Sequence, residues 1–428
     1  MNLSNFKLAK QIFESYVLRL ALILVNLILV PISISYLGKE SYGAWVTILS
    51  VVNWVLIGDM GIGNGLRNYV TSNSNRNTCN VKGALYYAGN FLKSVSKRLC
   101  VFGILVSLFL YFSGNIRIDV FVASLICFVF IVYNLHLSIF VSALHALKET
   151  PKVTLFQLLS ACITLIFIIV LTTFNVDGKI FHLAIIYGFS IISVSYLSKN
   201  LIWIKYGLRA EYFENEFTYR QLRKGGLLFF GMQLSLLVIM STDNILVAKL
   251  FNTSMVTEYY IYDRFYSIYN LAFTILLVPV WAYVSEAISK KQSEWLRKLI
   301  IYLLIIFFFS IPFLFIAYCL FDKIVVIWLG ERLDSMNNGF VNISFVLGAL
   351  MLAWNGIFST IINGMGKVTL QLYCLMFAAL INIPLSYFFV QYVGFGVEGV
   401  KLATILSLAP TSLVLPIQVY YRLRKSYD

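Results

Sequence analysis

Ionisable residues are thin in this 428-residue sequence: Asp, Glu, Lys and Arg together make up 12%, and histidine occurs three times. His136, His145 and His182 share no ligand spacing. The six cysteines (79, 100, 127, 162, 319 and 374) are scattered, with none in a C-x-x-C pair. This pattern excludes a zinc-type cluster and a disulfide framework, and the histidines read as satisfied core or interfacial side chains. The glycines after Asp59 are spaced G-x-G-x-G rather than G-x-G-x-x-G, and there is no nucleophile–base constellation, so no cofactor, metal or catalytic residue is expected. Sustained apolar–polar alternation is also missing, which excludes a membrane β-barrel.

What is abundant is hydrocarbon. Sixty per cent of the residues are hydrophobic, more than a soluble chain of this length could bury. Apolar runs near the roughly 20 residues needed to cross a bilayer recur throughout. They are read over 16–37, 43–66, 84–113, 118–146, 153–174, 180–204, 225–249, 257–285, 299–321, 340–364, 368–390 and 397–420. The expected fold is an all-α integral membrane protein of about twelve transmembrane helices. The first run follows no cleavable leader pattern. The third opens amphipathically, with Lys93, Lys97 and Arg98 in its first turns.

The formal net charge of +14 is distributed unevenly. With both termini in the cytoplasm, 24 Lys and Arg fall on the inside and 6 outside, while Arg19, Arg264 and Lys401 lie inside runs. By the positive-inside rule this sets the orientation. The basic excess is a topology signal and an anchor for anionic lipid, not a nucleic-acid footprint. The long polar stretch near Lys205–Lys224 divides the chain into lobes of six runs each, 1–210 and 211–428. Even numbers relate two such halves by a pseudo-two-fold axis along the membrane normal. Pro31, Pro279, Pro312, Pro384, Pro410 and Pro416 fall inside runs, where bends suit lobes that rock but also occur in static bundles.

Charges within hydrocarbon are costly and commonly face a bundle interior. Asp59 opens the stretch Asp59-Met60-Gly61-Ile62-Gly63-Asn64-Gly65-Leu66-Arg67-Asn68, about 10 Å inside the end of the second run at 1.5 Å per residue. Its glycines suit close helix packing, and Asp59 is either a local cap or a cavity group. The spacing is not that of a phosphate loop. Asp243 lies about 9 Å, and Arg264 about 10 Å, below the outer mouth shared by the seventh and eighth runs. Asp243, Asp263 and Arg264 therefore reach one depth, as an ion-pair layer or as cavity charges. Arg19 is a turn inside the first run, within snorkelling reach of the interface. Lys401 and Glu398, three residues apart, read as an exposed rim pair. Tyr259, Tyr260, Tyr262, Tyr266 and Tyr269 crowd the eighth run, either as rings that stack on sugars or as an aromatic belt, which suits Tyr259, Tyr260 and Tyr262 near the mouth and Tyr266 and Tyr269 less well.

Tyr36-Leu37-Gly38-Lys39-Glu40-Ser41-Tyr42-Gly43-Ala44-Trp45, the Asp59–Asn68 stretch and Ser241-Thr242-Asp243-Asn244-Ile245-Leu246-Val247-Ala248-Lys249 give the chain a resemblance along its whole length. It resembles the Wzx-type polysaccharide flippases of the superfamily that also holds the multidrug/toxin exporters and the peptidoglycan lipid flippase. The resemblance implies two six-helix lobes around a V-shaped, cationic cavity. It also implies carriage of undecaprenyl-diphosphate-linked oligosaccharide across the bacterial inner membrane, beside a polysaccharide polymerase and a chain-length regulator. Arginines of the first and eighth helices line that cavity in the lipid flippase; by helix and depth these correspond to Arg19 and Arg264. Asp59, Asp243, Asp263 and Tyr266 complete the expected cavity set, with one Asp as a candidate proton-coupling group. A cation-coupled small-molecule exporter is the alternative on the same architecture. A membrane glycosyltransferase or polymerase is disfavoured by the short outside loops, and a pure scaffold by the buried charges.

Overall fold

A computed structural model describes residues 3–63, 66, 69–70, 78–112, 117–147, 149–208, 216–289, 292–333 and 338–425. Among these residues every regular element is helical. The helices are α1 (Leu3–Leu37), α2 (Lys39–Asn53), α3 (Thr78–Phe112), α4 (Ile118–Leu135), α5 (Ser138–Ala146), α6 (Thr150–Thr173), α7 (Ile180–Tyr206), α8 (Glu216–Leu250), α9 (Thr253–Ser289), α10 (Ser293–Leu329), α11 (Gly339–Met365), α12 (Thr369–Tyr387) and α13 (Val397–Lys425). The protein is an all-α, multi-pass membrane protein. Nine described helical segments are long and apolar enough to cross a bilayer. The remaining expected spans correspond to α2, α3 and α9: α2 is short, α3 carries three cations in mid-helix, and α9 is rich in polar aromatics.

The chain forms two compact units, Met1–Leu234 and Ser235–Asp428, and α8 runs through the boundary. In the first unit α4 packs on α7 and α1 on α6; in the second α11 packs on both α9 and α13, and α13 on α12. Each unit has its own apolar core. One gathers Leu66, Leu85, Leu92, Leu144, Val153 and Ile202. The other gathers Val284, Leu303, Ile357, Ile361, Leu415 and Val419. The outward faces stay apolar, as on α10, where Phe309, Phe313 and Phe315 are largely exposed. That is the pattern of helices whose solvent is hydrocarbon rather than water.

Two runs read as single helices are broken. The second ends as α-helix at Asn53, continues as a tight turn over Trp54–Asp59, and reverses at Met60 (φ 48°) and Gly61 (φ 73°). Two successive left-handed residues cannot continue a right-handed helix, and helix restarts at Ile62. The fourth run divides at His136–Leu137 into α4 and α5. Apolar length alone carries no mark of either break. Pro31, Pro312, Pro384, Pro410 and Pro416 lie within helices, and the helix that holds Pro384 ends at Tyr387 in a π-helical turn over Phe388–Tyr392. Loss of one backbone donor and a wider turn are companion ways of bending the chain there.

Candidate functional site

The second unit buries a connected set of polar side chains in its apolar bundle. Asp243, near the C-terminal end of α8, is only 4% exposed. Tyr259, in the second turn of α9, donates its hydroxyl to Asp243 Oδ2 at 2.6 Å. Thr404 of α13 donates to the same carboxylate at 3.0 Å. Asn382 of α12 donates through Nδ2 to Thr404 Oγ1 at 3.0 Å and accepts at Oδ1 from Thr242 at 3.3 Å. Four helices thus meet on one carboxylate and its relay. In a low-dielectric interior each such bond is strong, and each unmade one is costly.

One turn before Thr404 on α13 stands Lys401. Its ammonium donates to Asp263 Oδ1 at 2.7 Å. The two partners differ in setting, with side chains 7% and 50% exposed respectively. Lys401 also lies over the ring of Phe345, 4.8 Å from the centroid, and over that of Tyr259 at 5.8 Å, so the buried charge is held by a carboxylate and two aromatic faces. Gly348 of α11 makes the room: a Cβ there would stand 2.8 Å from Lys401 Cε. The expected rim pair of Lys401 with Glu398 is therefore corrected. Both residues are buried, and Glu398 instead accepts from the Gly396 amide at 3.0 Å and from Asn338 Nδ2 at 3.3 Å.

The tyrosines of α9 form a wall rather than a belt. Tyr259, Tyr262 and Tyr266 are all buried. Tyr262 stacks on Phe321 with centroids 4.4 Å apart, and Tyr266 lies parallel to the same ring at 5.7 Å. The Tyr266 hydroxyl donates to Asn342 Oδ1, so neither its face nor its hydroxyl is free at a surface. Arg264, on the other side of α9, is half-buried. Asp263 takes Lys401, not Arg264, as its partner, so Asp243 and Asp263 are brought together through α13 and Arg264 stands outside their network.

Asp59 and Arg19 belong to the first unit. Asp59 Oδ1 accepts the amide of Gly63, in the helix that restarts at Ile62, at 2.8 Å, so the carboxylate is engaged within its own segment. A Cβ on Gly63 would lie 2.9 Å from both Asp59 Oδ2 and Ser142 Oγ, so that glycine is a close-approach position. Asn64, Gly65, Arg67 and Asn68 of the same stretch fall outside the described residues. Arg19 lies on α1, half-buried.

Chemically, the Asp243 cluster offers one carboxylate ringed by neutral hydroxyl and amide groups. Such a set can hold a proton or a small hard cation, since hydroxyls switch between donating and accepting. Among the described residues no group of three His, Cys, Asp or Glu could hold a metal ion. Asn382, Thr404 and the partnership of Lys401 were not singled out from sequence. The available signal was the spacing of Lys401 and Thr404, which puts two polar groups on one face of an apolar run.

No family model matches the chain. It is 25% identical over 415 residues to a Salmonella typhi protein named for O-antigen transport, covering 94% of this chain and 93% of that protein. It is 24% identical over 412 residues to a Yersinia pseudotuberculosis protein named for O-antigen export, covering 92% and 91%. Among solved structures it resembles a multidrug resistance MATE family transporter of the MOP superfamily in an inward-facing conformation, with a TM-score of 0.78 at 13% identity over 95% of each chain. The chain is therefore similar in sequence to proteins named for O-antigen transport and export, and similar in fold to MOP superfamily transporters.

Proposed function

We propose that this protein is a flippase carrying undecaprenyl-diphosphate-linked oligosaccharide units, of O-antigen or a similar surface polysaccharide, from the cytoplasmic to the periplasmic face of the bacterial inner membrane by alternating access. The observation that carries the reading is similarity, over more than nine-tenths of the chain, to two proteins named for O-antigen transport and export. The physical requirement agrees with it. A diphosphate and several sugars cannot cross about 30 Å of hydrocarbon unaided. A transporter, rather than an enzyme, needs polar groups within the bundle and no nucleophile.

In this reading both termini are cytoplasmic, and the two lobes are 1–210 and 211–428. Arg19 and Arg264 receive the diphosphate, whose geometry suits a guanidinium fork. Asp243 and Asp263, tied to α13 by Thr404 and Lys401, are the groups through which a proton gradient acts, and Asp59 is a further candidate. Tyr266 acts as part of the wall behind Arg264 and contacts sugar only if that wall rearranges. A second reading, a cation-coupled multidrug or toxin exporter, is favoured by one observation, the MATE-type fold.

The test is complementation of a strain that lacks its own O-antigen flippase. The wild-type chain restores surface polysaccharide. Arg264→Ala inserts normally but lowers the amount at least about tenfold, as expected for loss of a charge-assisted contact of roughly 1.5–3 kcal/mol. Arg264→Lys recovers part of it. Normal polysaccharide length and amount with Arg264→Ala would remove Arg264 from the substrate path.

A further inference from the structure

The first unit carries a group of cations that the flippase reading does not use. Lys93 and Lys97 stand one turn apart on the exposed face of α3. Lys199 of α7 lies over the indole of Trp203, its ammonium 4.4 Å from the ring centroid. His136, at the break between α4 and α5, is within electrostatic reach of both Lys93 and Lys199. The ring of Tyr133 meets His136 edge-on at 5.1 Å, and Tyr133 and Trp203 are themselves exposed.

This group has no protein counter-ion among the described residues. Six residues further along α7 the contrast is plain: Lys205 donates to Glu149, which also holds Lys152 at 3.2 Å. Other described carboxylates of the unit are engaged elsewhere, Glu40 and Asp119 with Arg117 and Asp59 with Gly63. Below the cations the exposed face of α3 turns wholly apolar through Val101, Phe102, Leu105 and Phe109. A surface that passes within one helix from unpaired cations with amphipathic aromatics to bare hydrocarbon has the profile of a single lipid, headgroup above and acyl chains below.

We propose that Lys93, Lys97 and Lys199, with His136, Tyr133 and Trp203, bind the phosphate headgroup of an anionic membrane phospholipid. Charge complementarity selects an anionic over a zwitterionic headgroup, and each lysine near the headgroup plane adds to that preference. Trp203 keeps the Lys199 ammonium at headgroup level by a cation–π contact. The site is independent of the proposed substrate: it would be occupied by bulk lipid whatever the protein carries.

The experiment is native mass spectrometry of the purified full chain titrated with dioleoyl phosphatidylglycerol or dioleoyl phosphatidylethanolamine. The wild type retains a phosphatidylglycerol in preference to phosphatidylethanolamine. Lys93→Gln with Lys199→Gln weakens that retention about tenfold or more, from roughly two lysine contributions, while Lys323→Gln in the other unit leaves it unchanged. Lys93→Gln alone, at an exposed position that tolerates change, weakens it several-fold and serves if the double variant does not fold. Equal retention of both lipids, wild-type retention by either variant, or an equal loss with Lys323→Gln overturns the proposal. Displacement of phosphatidylglycerol at an equal or lower concentration of undecaprenyl diphosphate also overturns it, and reassigns the residues to substrate.

Discussion

Lys401 and Asp263 share one ion pair but not one environment, and this sets an asymmetry that mutation reads directly. Removing Asp263, the half-exposed partner, strands a buried ammonium; removing Lys401 leaves a carboxylate that solvent or headgroups can reach. Asp263→Ala is therefore expected to cost on the order of 2–3 kcal/mol, and Lys401→Met clearly less; equal losses in thermal unfolding of the purified protein would refute the difference in burial. Gly348→Ala places a methyl 2.8 Å from Lys401 Cε. It is expected to cost about 1–3 kcal/mol as overpacking, and Lys401→Ala in the same chain should relieve most of that cost. At this scale the sequence reading found Asp243 and Asp263 because a carboxylate in an apolar run stands out. It misread Lys401 as exposed because depth along one helix does not reveal which side the next helix covers. Tyr266 was placed at a cavity for the same reason, whereas Phe321 and Asn342, distant in sequence, close over it.

At the scale of elements, length and hydropathy were enough to locate nearly every helix, because a bilayer requires a run of about 20 apolar residues. They were not enough to locate the breaks at Met60–Gly61 and His136–Leu137, since the surrounding side chains remain apolar whichever way the backbone turns. The alternating glycines after Asp59 were the legible trace of one break, read only as packing. Junctions between elements are also the points most sensitive to change. Gly178 precedes α7, and a Cβ there would fall 1.9 Å from the backbone carbonyl oxygen of Tyr36, a group that cannot swing aside. Gly178→Ala should reduce folded protein sharply, whereas Gly207→Ala, with no atom within 4 Å of its Cβ, should cost only the roughly 1–2 kcal/mol of a left-handed residue; similar yields of the two in detergent would contradict the close approach.

The junction of α5, α6 and α7 is held by Glu149, which accepts from Lys205, Tyr206 and Lys152. Partial burial pushes its pKa up, but those three hydrogen bonds outweigh burial and hold it below the ordinary 4.5. A depressed carboxylate stabilises the fold fully above its unfolded pKa and loses that contribution as pH falls through the folded one. The stability difference between wild type and Glu149→Gln should therefore be constant near neutral pH and shrink below about pH 4.5; a difference that grows on acidification would reverse the sign of the argument.

On the scale of the whole molecule, the composition already dictates a multi-pass helical protein, and the chain is similar over nine-tenths of its length to proteins named for O-antigen transport and export. The charge distribution argues for cytoplasmic termini because translocation of cations is penalised loop by loop. The polar cluster was least legible, because it depends on how the hydroxyls of Tyr259 and Thr404, from two other helices, meet the Asp243 carboxylate, and no linear pattern encodes that meeting. If Asp243 carries the coupling, Asp243→Asn should leave the fold intact and make transport insensitive to collapse of the proton gradient. Transport that still falls with the gradient in that variant would place coupling elsewhere.

The central claim is tested most directly in vesicles loaded with undecaprenyl-diphosphate-linked oligosaccharide on one leaflet, with the purified protein inserted. Exposure of the sugar on the opposite face is followed with a membrane-impermeant glycosidase. The account predicts cleavage of sugar initially protected from the enzyme, slowed at least about tenfold by Arg264→Ala. Protection equal to that of protein-free vesicles, in a preparation that exports a small organic cation, would contradict the flippase and favour the exporter.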